Sequence, residues 1–186
     1  MQVDLNCHPD TPQSALSGIS ATIAPRSGAC LGVSFRAKGD VAAVRWPGEA
    51  ARGEGPWACA DELWRHSCFE MFVGVADETG YREANLSTSG RWAAYSFTGY
   101  REGMARADDV SLIAAKWRIL DDRAEMHALI ELPPAYRGAE LVLGLSAVIE
   151  AREGDKSYWA LRHPPGKPDF HHRDCFALPI TAPDMP

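Results

Sequence analysis

The fold of this chain is decided by two neighbouring stretches, Leu63-Trp64-Arg65-His66-Ser67-Cys68-Phe69-Glu70-Met71-Phe72 and Tyr81-Arg82-Glu83-Ala84-Asn85-Leu86-Ser87-Thr88-Ser89-Gly90-Arg91-Trp92-Ala93-Ala94-Tyr95. Each contains a short run that alternates apolar and polar side chains, which is typical of a β-strand with one face in a core. Each run also lies beside a tryptophan, whose ring is a good platform for a ligand. The two stretches therefore predict a β-sandwich that binds a small ligand.

The same alternation continues on both sides of these stretches, with Gly, Pro or Asp between the runs. No window keeps a helical period for three turns, so we predict an all-β, antiparallel β-sandwich of immunoglobulin-like or jelly-roll-like type, forming a single domain over residues 1–186. Gly39-Asp40 is predicted to turn the chain between the first two strands. The predicted strands are 31–38, 41–46, 69–75, 81–86, 92–97, 116–120, 125–132, 141–149, 157–161 and 175–180.

The apolar positions of these strands predict the core, because successive side chains of a strand point to opposite faces. Leu129 and Ile130 are adjacent, so only one of them can face inward. The predicted core residues are Phe35, Val44, Phe69, Met71, Val73, Leu143 and Leu145, with either Leu129 or Ile130.

Composition limits the classes of partner. The chain has 186 residues, of which 46% are hydrophobic and 24% charged, as is usual for a globular domain. Its formal charge of −6 disfavours a nucleic acid or an anionic membrane as partner, because both are bound through clustered Lys and Arg. A small neutral or cationic ligand fits better, and the oligomeric state is left open.

Cysteine usage and the N-terminus bear on the compartment. The five cysteines are odd in number and form no C-x-x-C pair, so neither a disulfide framework nor a zinc knuckle is indicated. Residues 1–8 lack a basic segment followed by an apolar one, and no apolar run approaches 18 residues. We therefore expect free thiols and a cytoplasmic location.

Four groups of residues are candidates for function. Trp64 and Trp159 flank predicted loops, so we expect them to be exposed platforms for a sugar face or a cation; the alternative is that they belong to the core. Glu70 and Glu83 lie on adjacent strands and could face one cleft, as in glycosidases; the alternative is that they face water or pair with arginine. No nucleophile or metalloprotease motif accompanies them.

The third and fourth groups concern metal and haem. His163, Asp169 and His171 fall in one polar loop and are weak candidates for a divalent metal, although their spacing matches no standard ligand set. The alternative is that these histidines bond to the loop backbone or to water. His66 or Met104 could supply an axial ligand to haem. No cofactor is predicted from the residues themselves.

Three elements of the sequence are distinctive together: a Phe-Glu-x-Phe element at Phe69, the polar strand containing Asn85, and a Phe-His-x-x-x-x-Phe element that begins at Phe170. With them the chain resembles the DOMON-like superfamily, which is related to family 9 carbohydrate-binding modules. The resemblance runs from about residue 31 to the C-terminus. It implies a carbohydrate-binding-module type of sandwich that holds a sugar or a haem. The matching positions are the strand carboxylate Glu70, Asn85, and the closing histidine His171.

The preferred hypothesis is a non-catalytic module that binds a saccharide. The alternatives are a haem-binding module of the DOMON type and a metal- or carboxylate-dependent enzyme acting on carbohydrate. We expect the ligand where the loop 47–63 meets the loop 162–174, because long loops on a rigid scaffold carry function. The predicted ligand-binding residues are Trp64, His66, Glu70, Asn85, Trp159, Arg162 and His171.

Overall fold

The structure, a computed structural model, describes residues 1–11, 15–24, 28–48 and 56–181. Four short 3-10 helices lie within these ranges, at Val41–Ala43, Leu63–Arg65, Pro134–Tyr136 and Arg173–Cys175. No helix in the described ranges is long and apolar enough to span a membrane. The strands in these ranges are β1 (Gln2–Cys7), β2 (Leu16–Ile23), β3 (Cys30–Gly39), β4 (Ala58–Cys59), β5 (Cys68–Val75), β6 (Tyr81–Ser87), β7 (Arg91–Phe97), β8 (Ala105–Arg106), β9 (Ser111–Ile119), β10 (Arg123–Glu131), β11 (Leu141–Glu150), β12 (Lys156–Ala160) and β13 (Leu178–Ile180).

These strands form one strongly curled sheet in the order β4-β7-β6-β5-β11-β12-β1-β2-β3-β10-β9, with β13 beside β11 and β8 beside β7. All pairings are antiparallel except that of β4 with β7. Strand β1 joins the two halves, because residues 2–5 pair with β2 while Asn6 and Cys7 pair with β12. We call β4 to β12 in this order the β5 half, and β2 to β9 the β3 half.

The two halves pack face to face over one main core. Phe35 of β3 stacks on Phe69 of β5 with 5.1 Å between ring centroids. The predicted core is confirmed: Phe35, Phe69, Met71, Val73, Leu143, Leu145 and Val44 are all buried. Of the adjacent pair, Ile130 is buried and Leu129 is 38% exposed, as the alternation along β10 requires. The all-β sandwich is thus confirmed.

Residues 41–46 do not form the predicted strand. Val41–Ala43 is a 3-10 helix, and the Asp40 side chain accepts a hydrogen bond from the Ala43 amide at its start. Val41 and Val44 are both buried, and their spacing of three suits one face of such a helix. The predicted Gly39-Asp40 hairpin is also wrong, because β3 pairs with β2 and β10.

Other parts of the chain also differ from the prediction, among them β9, which begins at Ser111 and not at residue 116. Strands β1 and β2 were not predicted, although β1 joins the two halves. The last strand is shorter than predicted, since Arg173–Cys175 is helical and β13 is only Leu178–Ile180. The predicted loop 47–63 lies partly outside the described residues, and its described part contains β4.

Candidate ligand-binding cavity

A cavity of about 310 Å³ lies on the outer face of the β5 half. The strands here are buried on both faces: the main core covers one, and on the other a second apolar cluster packs against residues of the segment 162–176. We call residues 162–174 the closing segment and residues 98–104 the rim turn. The cavity is lined by Trp64, Glu70, Glu83, Phe97, Arg101, Met104, Val148, Tyr158, Pro168, Phe170 and His171.

Two buried carboxyl groups line this cavity. Glu70 alternates with Phe69 and Met71 along β5, so its side chain points away from the main core. Glu70 and Glu83 are 2% and 4% exposed. Such burial of acidic side chains is uncommon unless they are paired or protonated. The two glutamates are therefore the chemically distinctive feature of the site.

The hydrogen bonds of these carboxyls are incomplete. Ser146 Oγ donates to Glu70 Oε2 at 3.4 Å, and Asn85 Nδ2 donates to Glu83 Oε1 at 2.7 Å. Within the described part of the chain, the buried oxygens Glu70 Oε1 and Asn85 Oδ1 have no hydrogen-bond partner. Unsatisfied buried polar atoms are costly and call for a partner, which a ligand can supply.

Burial dominates the electrostatics of the pair. It raises the pKa of Glu70 well above the usual range, and the charge of Glu83 raises this pKa further. Burial also raises the pKa of Glu83 to about 7, although the Asn85 hydrogen bond and the charge of Arg101 act in the opposite direction. At neutral pH the two carboxyls therefore retain at least one proton between them.

His171 closes the cavity beside Glu83. Its Nδ1 lies 2.8 Å from Tyr81 Oη, and its Nε2 lies 3.9 Å from Glu83 Oε2. Burial lowers the pKa of His171 to about 4, and the positive charge of Arg101 adds to this shift. The imidazole is therefore neutral at physiological pH, so it does not act as a cationic partner for Glu83.

The rim turn is tied to the closing segment by Asp169. Arg101 Nη2 donates to Asp169 Oδ1 at 2.8 Å, and the His171 amide donates to the same oxygen at 3.1 Å. Tyr100 Oη also hydrogen-bonds to Asp169. These bonds keep the pKa of Asp169 below its usual value despite partial burial. One carboxylate thus connects both sides of the cavity mouth.

Aromatic rings form most of the remaining wall. Trp64 is half-buried and packs edge-on against Tyr95, with 5.6 Å between ring centroids. Phe97, Tyr158 and Phe170 complete the wall. An indole with one free face and nearby polar atoms is the combination that binds a sugar ring, which has an apolar face and hydroxyls at its edge.

Backbone strain is concentrated next to this site. Among the described residues, only Glu62 and Arg101 combine a side chain with a positive φ, 60° and 56° respectively. Glu62 precedes the helix that carries Trp64, and Arg101 lies in the rim turn. Non-glycine residues in the left-handed region are uncommon and cluster at functional sites.

The structure brings together part of the predicted site. Trp64, Glu70 and His171 line the cavity, and Asn85 is buried beside Glu83. The other three predicted residues, His66, Trp159 and Arg162, do not line it. Arg162 is exposed, and His66 Nδ1 lies 2.6 Å from Glu150 Oε2.

The prediction that Trp159 is an exposed platform is wrong. This indole is 6% exposed, belongs to the main core, and donates from Nε1 to Ser157 Oγ at 3.0 Å. Strand β12 lies between β1 and β11, so it is a central strand whose Trp159 face is inward. The adjacent Tyr158 points the other way and lines the cavity.

The candidate metal ligands bind other partners. His163 Nε2 lies 2.8 Å from the Asn6 carbonyl oxygen, Asp169 pairs with Arg101, and His171 bonds to Tyr81. No group of three or more His, Cys, Asp or Glu in the described ranges is arranged to hold a metal ion. Of the two haem-ligand candidates, Met104 lines the cavity and His66 does not.

Sequence reasoning missed several cavity residues. Tyr158 could have been found from its alternation with Trp159. Phe97 ends a predicted strand, but nothing in the sequence indicates that the closing segment covers it. Arg101 was missed because the rim turn reaches the closing segment only in the folded chain. Residues 49–55 of the predicted loop 47–63 lie outside the described residues, but Leu63 at its end packs against the apolar cluster that contains Phe170 of the closing segment. The rim turn, which was not predicted to take part, also meets the closing segment.

Comparison with known proteins supports the fold. No protein-family model matches the chain, and no curated protein matches it in sequence. A proposed carbohydrate-binding protein from Bacteroides uniformis is similar in structure, with a TM-score of 0.59, 14% identity, and coverage of 94% of this chain and 83% of that one. A family 9 carbohydrate-binding module from Caldicellulosiruptor kristjanssonii, solved with cellotriose, has a TM-score of 0.52, 10% identity, and coverage of 88% and 75%. The fold is therefore like that of family 9 carbohydrate-binding modules.

Proposed function

We propose that this chain is a non-catalytic carbohydrate-binding module whose ligand occupies the cavity between Trp64, the rim turn and the closing segment. The observation that carries this proposal is that one cavity of about 310 Å³ combines a half-buried indole with unsatisfied buried acceptors. Its volume lies at the small end of ligand sites and suits one or two sugar rings. The family 9-like fold of the chain supports the same class of ligand.

Each part of the cavity has a role in this proposal. The indole of Trp64 packs against the apolar face of the sugar. Glu83, Asn85 and Glu70 lie deep in the site and hydrogen-bond to ring hydroxyls, which both donate and accept. The guanidinium of Arg101 donates from the rim. A lone module with one stacking indole binds in roughly the micromolar to millimolar range.

Titration calorimetry tests this proposal with a panel of glucose, xylose, galactose, cellobiose and cellotriose. We expect at least one of them to bind, and Trp64→Ala to weaken that binding by about tenfold through loss of the stacking contact. Trp64→Phe keeps an aromatic face and should lose less. Ile113→Ala changes an exposed residue of β9 in the β3 half and serves as control. Absence of binding to the whole panel, or unchanged affinity in folded Trp64→Ala, would contradict the proposal.

A second candidate function follows from one specific observation, the presence of two carboxyls in one cavity. A retaining glycosidase needs one carboxyl ionised as nucleophile and the other protonated as acid. The raised pKa of Glu70 suits the protonated acid, and Glu83, whose pKa is raised to about 7, is partly ionised at neutral pH. Incubation with p-nitrophenyl glycosides tests this candidate, and release of nitrophenol that is lost in Glu70→Gln would establish an enzyme instead of a binding module.

A further inference from the structure

The two carboxyl groups of the cavity, Glu70 and Glu83, lack a counter-ion. Glu70 and Glu83 are almost wholly buried, and Oε1 of Glu70 has no hydrogen-bond partner among the described residues. Buried carboxyls are normally paired with a cation, or they remain protonated. Among the described residues, His171 is the only basic side chain within ion-pairing distance of either carboxyl, at 3.9 Å from Glu83.

The nearby basic side chains do not serve as the counter-ion of Glu70 or Glu83. The half-buried His171 ring packs against Phe72, Phe97 and Tyr81, and its Nδ1 lies 2.8 Å from the tyrosine hydroxyl. Arg101 lines the rim, but its guanidinium hydrogen-bonds to Asp169 on the closing segment. Arg101 therefore forms its ion pair with Asp169 and with neither glutamate, although its charge lowers the pKa of Glu83 from a distance.

The walls are suited to the same kind of ligand. The rings of Trp64, Phe97, Tyr158 and Phe170 line the cavity around the two carboxyls. An aromatic face attracts a cation through its quadrupole, most strongly when water is excluded. A carboxyl pair inside aromatic walls is an environment that favours an ammonium group over a neutral hydroxyl.

We propose that this cavity selects a saccharide that carries a protonated amine, a hexosamine, over the neutral sugar of the same ring. The inference rests on the function proposed above and adds the class of sugar. The ammonium group takes the place of the missing counter-ion between Glu70 and Glu83 and donates to the free oxygen Glu70 Oε1, while Trp64 packs against the ring.

The number of protons released on binding distinguishes a hexosamine from a neutral sugar. A carboxyl that holds a proton in the free protein must release it to form a salt bridge with the ammonium group. The proton goes to the buffer, and the ligand keeps its own charge. Binding of a hexosamine near neutral pH should therefore release up to one proton per site, while a neutral sugar should release none.

The test compares glucosamine, glucose and N-acetylglucosamine by titration calorimetry at pH 7, in two buffers of different ionisation enthalpy. N-acetylglucosamine keeps a substituent at the same ring position without its charge. We expect glucosamine to bind at least roughly tenfold more tightly than either neutral sugar, with buffer-dependent heat that reports proton release. Equal or tighter binding of a neutral sugar overturns this inference and leaves saccharide binding intact. Absence of binding by all three overturns this inference, and it overturns the proposed function as well only when the whole panel named above also fails to bind.

Substitutions of the two glutamates test whether they cause the preference for glucosamine. Glu83→Gln removes the charge but keeps an oxygen for the Asn85 hydrogen bond, so it should reduce glucosamine affinity more than glucose affinity. Glu70→Gln is a second, independent variant with the same expectation. Glu131→Gln alters an exposed glutamate of β10 in the β3 half and should keep the wild-type preference. A folded Glu83→Gln or Glu70→Gln protein that retains the full preference for glucosamine contradicts the inference.

Discussion

At the scale of single residues, this molecule is unusual in burying glutamates on the outer face of a sheet half. Glu70 and Glu83 occupy strand positions where the alternation demands a side chain directed away from the main core. Glutamates are common on a sheet face that is exposed to solvent. The closing segment covers this face, and the same residues therefore become buried acids that shape a cavity.

The titration of these acids predicts how stability depends on pH. A carboxyl whose pKa is raised by folding binds more protons in the folded state, so stability is highest below its unfolded pKa and is lost as pH rises through the folded pKa. For Glu83 this window runs from about 4.5 to about 7, and Glu70 acts in the same direction. His171 acts in the opposite direction, because folding lowers its pKa from 6.5 to about 4. Its contribution makes the protein more stable as the pH rises from about 4 to 6.5.

The pKa values of His127 and His163 are lowered as well, so the histidines oppose the glutamates up to about pH 6.5. We therefore expect the free energy of unfolding to fall between about pH 6.5 and pH 8. Urea denaturation at several pH values measures this slope. Glu83→Gln should make the slope shallower, because its side chain does not titrate. Glu131→Gln, with its exposed side chain, should leave the slope unchanged. A stability that rises over this range would show that the carboxyls are not raised in the folded state.

At the scale of elements, the cavity depends on two irregular segments that cover a regular sheet. The rim turn follows β7, and the closing segment follows β12. Asp169 holds them together through Arg101, Tyr100 and the His171 amide. Charge-assisted hydrogen bonds of this kind are stronger than neutral ones, although their partial exposure to water weakens them here.

Asp169→Asn should loosen this connection, because it removes the charge and leaves a donor facing Arg101. We expect a loss of about 1–2 kcal/mol in stability. Hydrogen-exchange mass spectrometry should show faster exchange in the rim turn and the closing segment, with the core strands unchanged. Asp122→Asn affects an exposed pair with Arg123 at the β9-β10 turn and is the matched control. Equal exchange in both variants would refute a joining role for Asp169.

At the scale of the whole molecule, β1 makes the two halves one unit. Its residues pair with β2 on one side of the curl and with β12 on the other. Leu5 is its buried residue and contributes to the main core. Because both halves share that core, neither can bury its apolar face alone.

This architecture predicts a single cooperative unfolding transition. The indole signals of Trp117 in the β3 half and Trp159 in the β5 half should disappear from NMR spectra at the same urea concentration. Leu5→Ala should shift both signals together and cost about 2–5 kcal/mol. Leu129→Ala, at a partly exposed site of β10, should shift them little. Separate transitions for Trp117 and Trp159 would mean that the halves unfold independently.

The sequence by itself determined the strands and the inward faces of most of them. Period-two alternation is a local property, so it correctly predicted β3, β5, β7, β10 and β11 and their core residues. It also singled out Trp64, Glu70 and His171, which line the cavity. It failed at residues 41–46, where Val41–Ala43 form a 3-10 helix and the buried Val44 directly follows it. It also failed at β1 and β2, which it did not identify.

Only the tertiary structure decided which strand faces are covered and what meets above them. The sheet curl at β1 makes β12 a central strand, which places Trp159 in the core and Tyr158 in the cavity. The contact between Arg101 and Asp169 joins residues 68 positions apart in the chain. Such contacts depend on where the chain reverses and on the order of strands in the sheet. Alternation of residues within a strand predicts neither of these. For that physical reason the sequence indicated the chemistry of the site, whereas its enclosure required the fold.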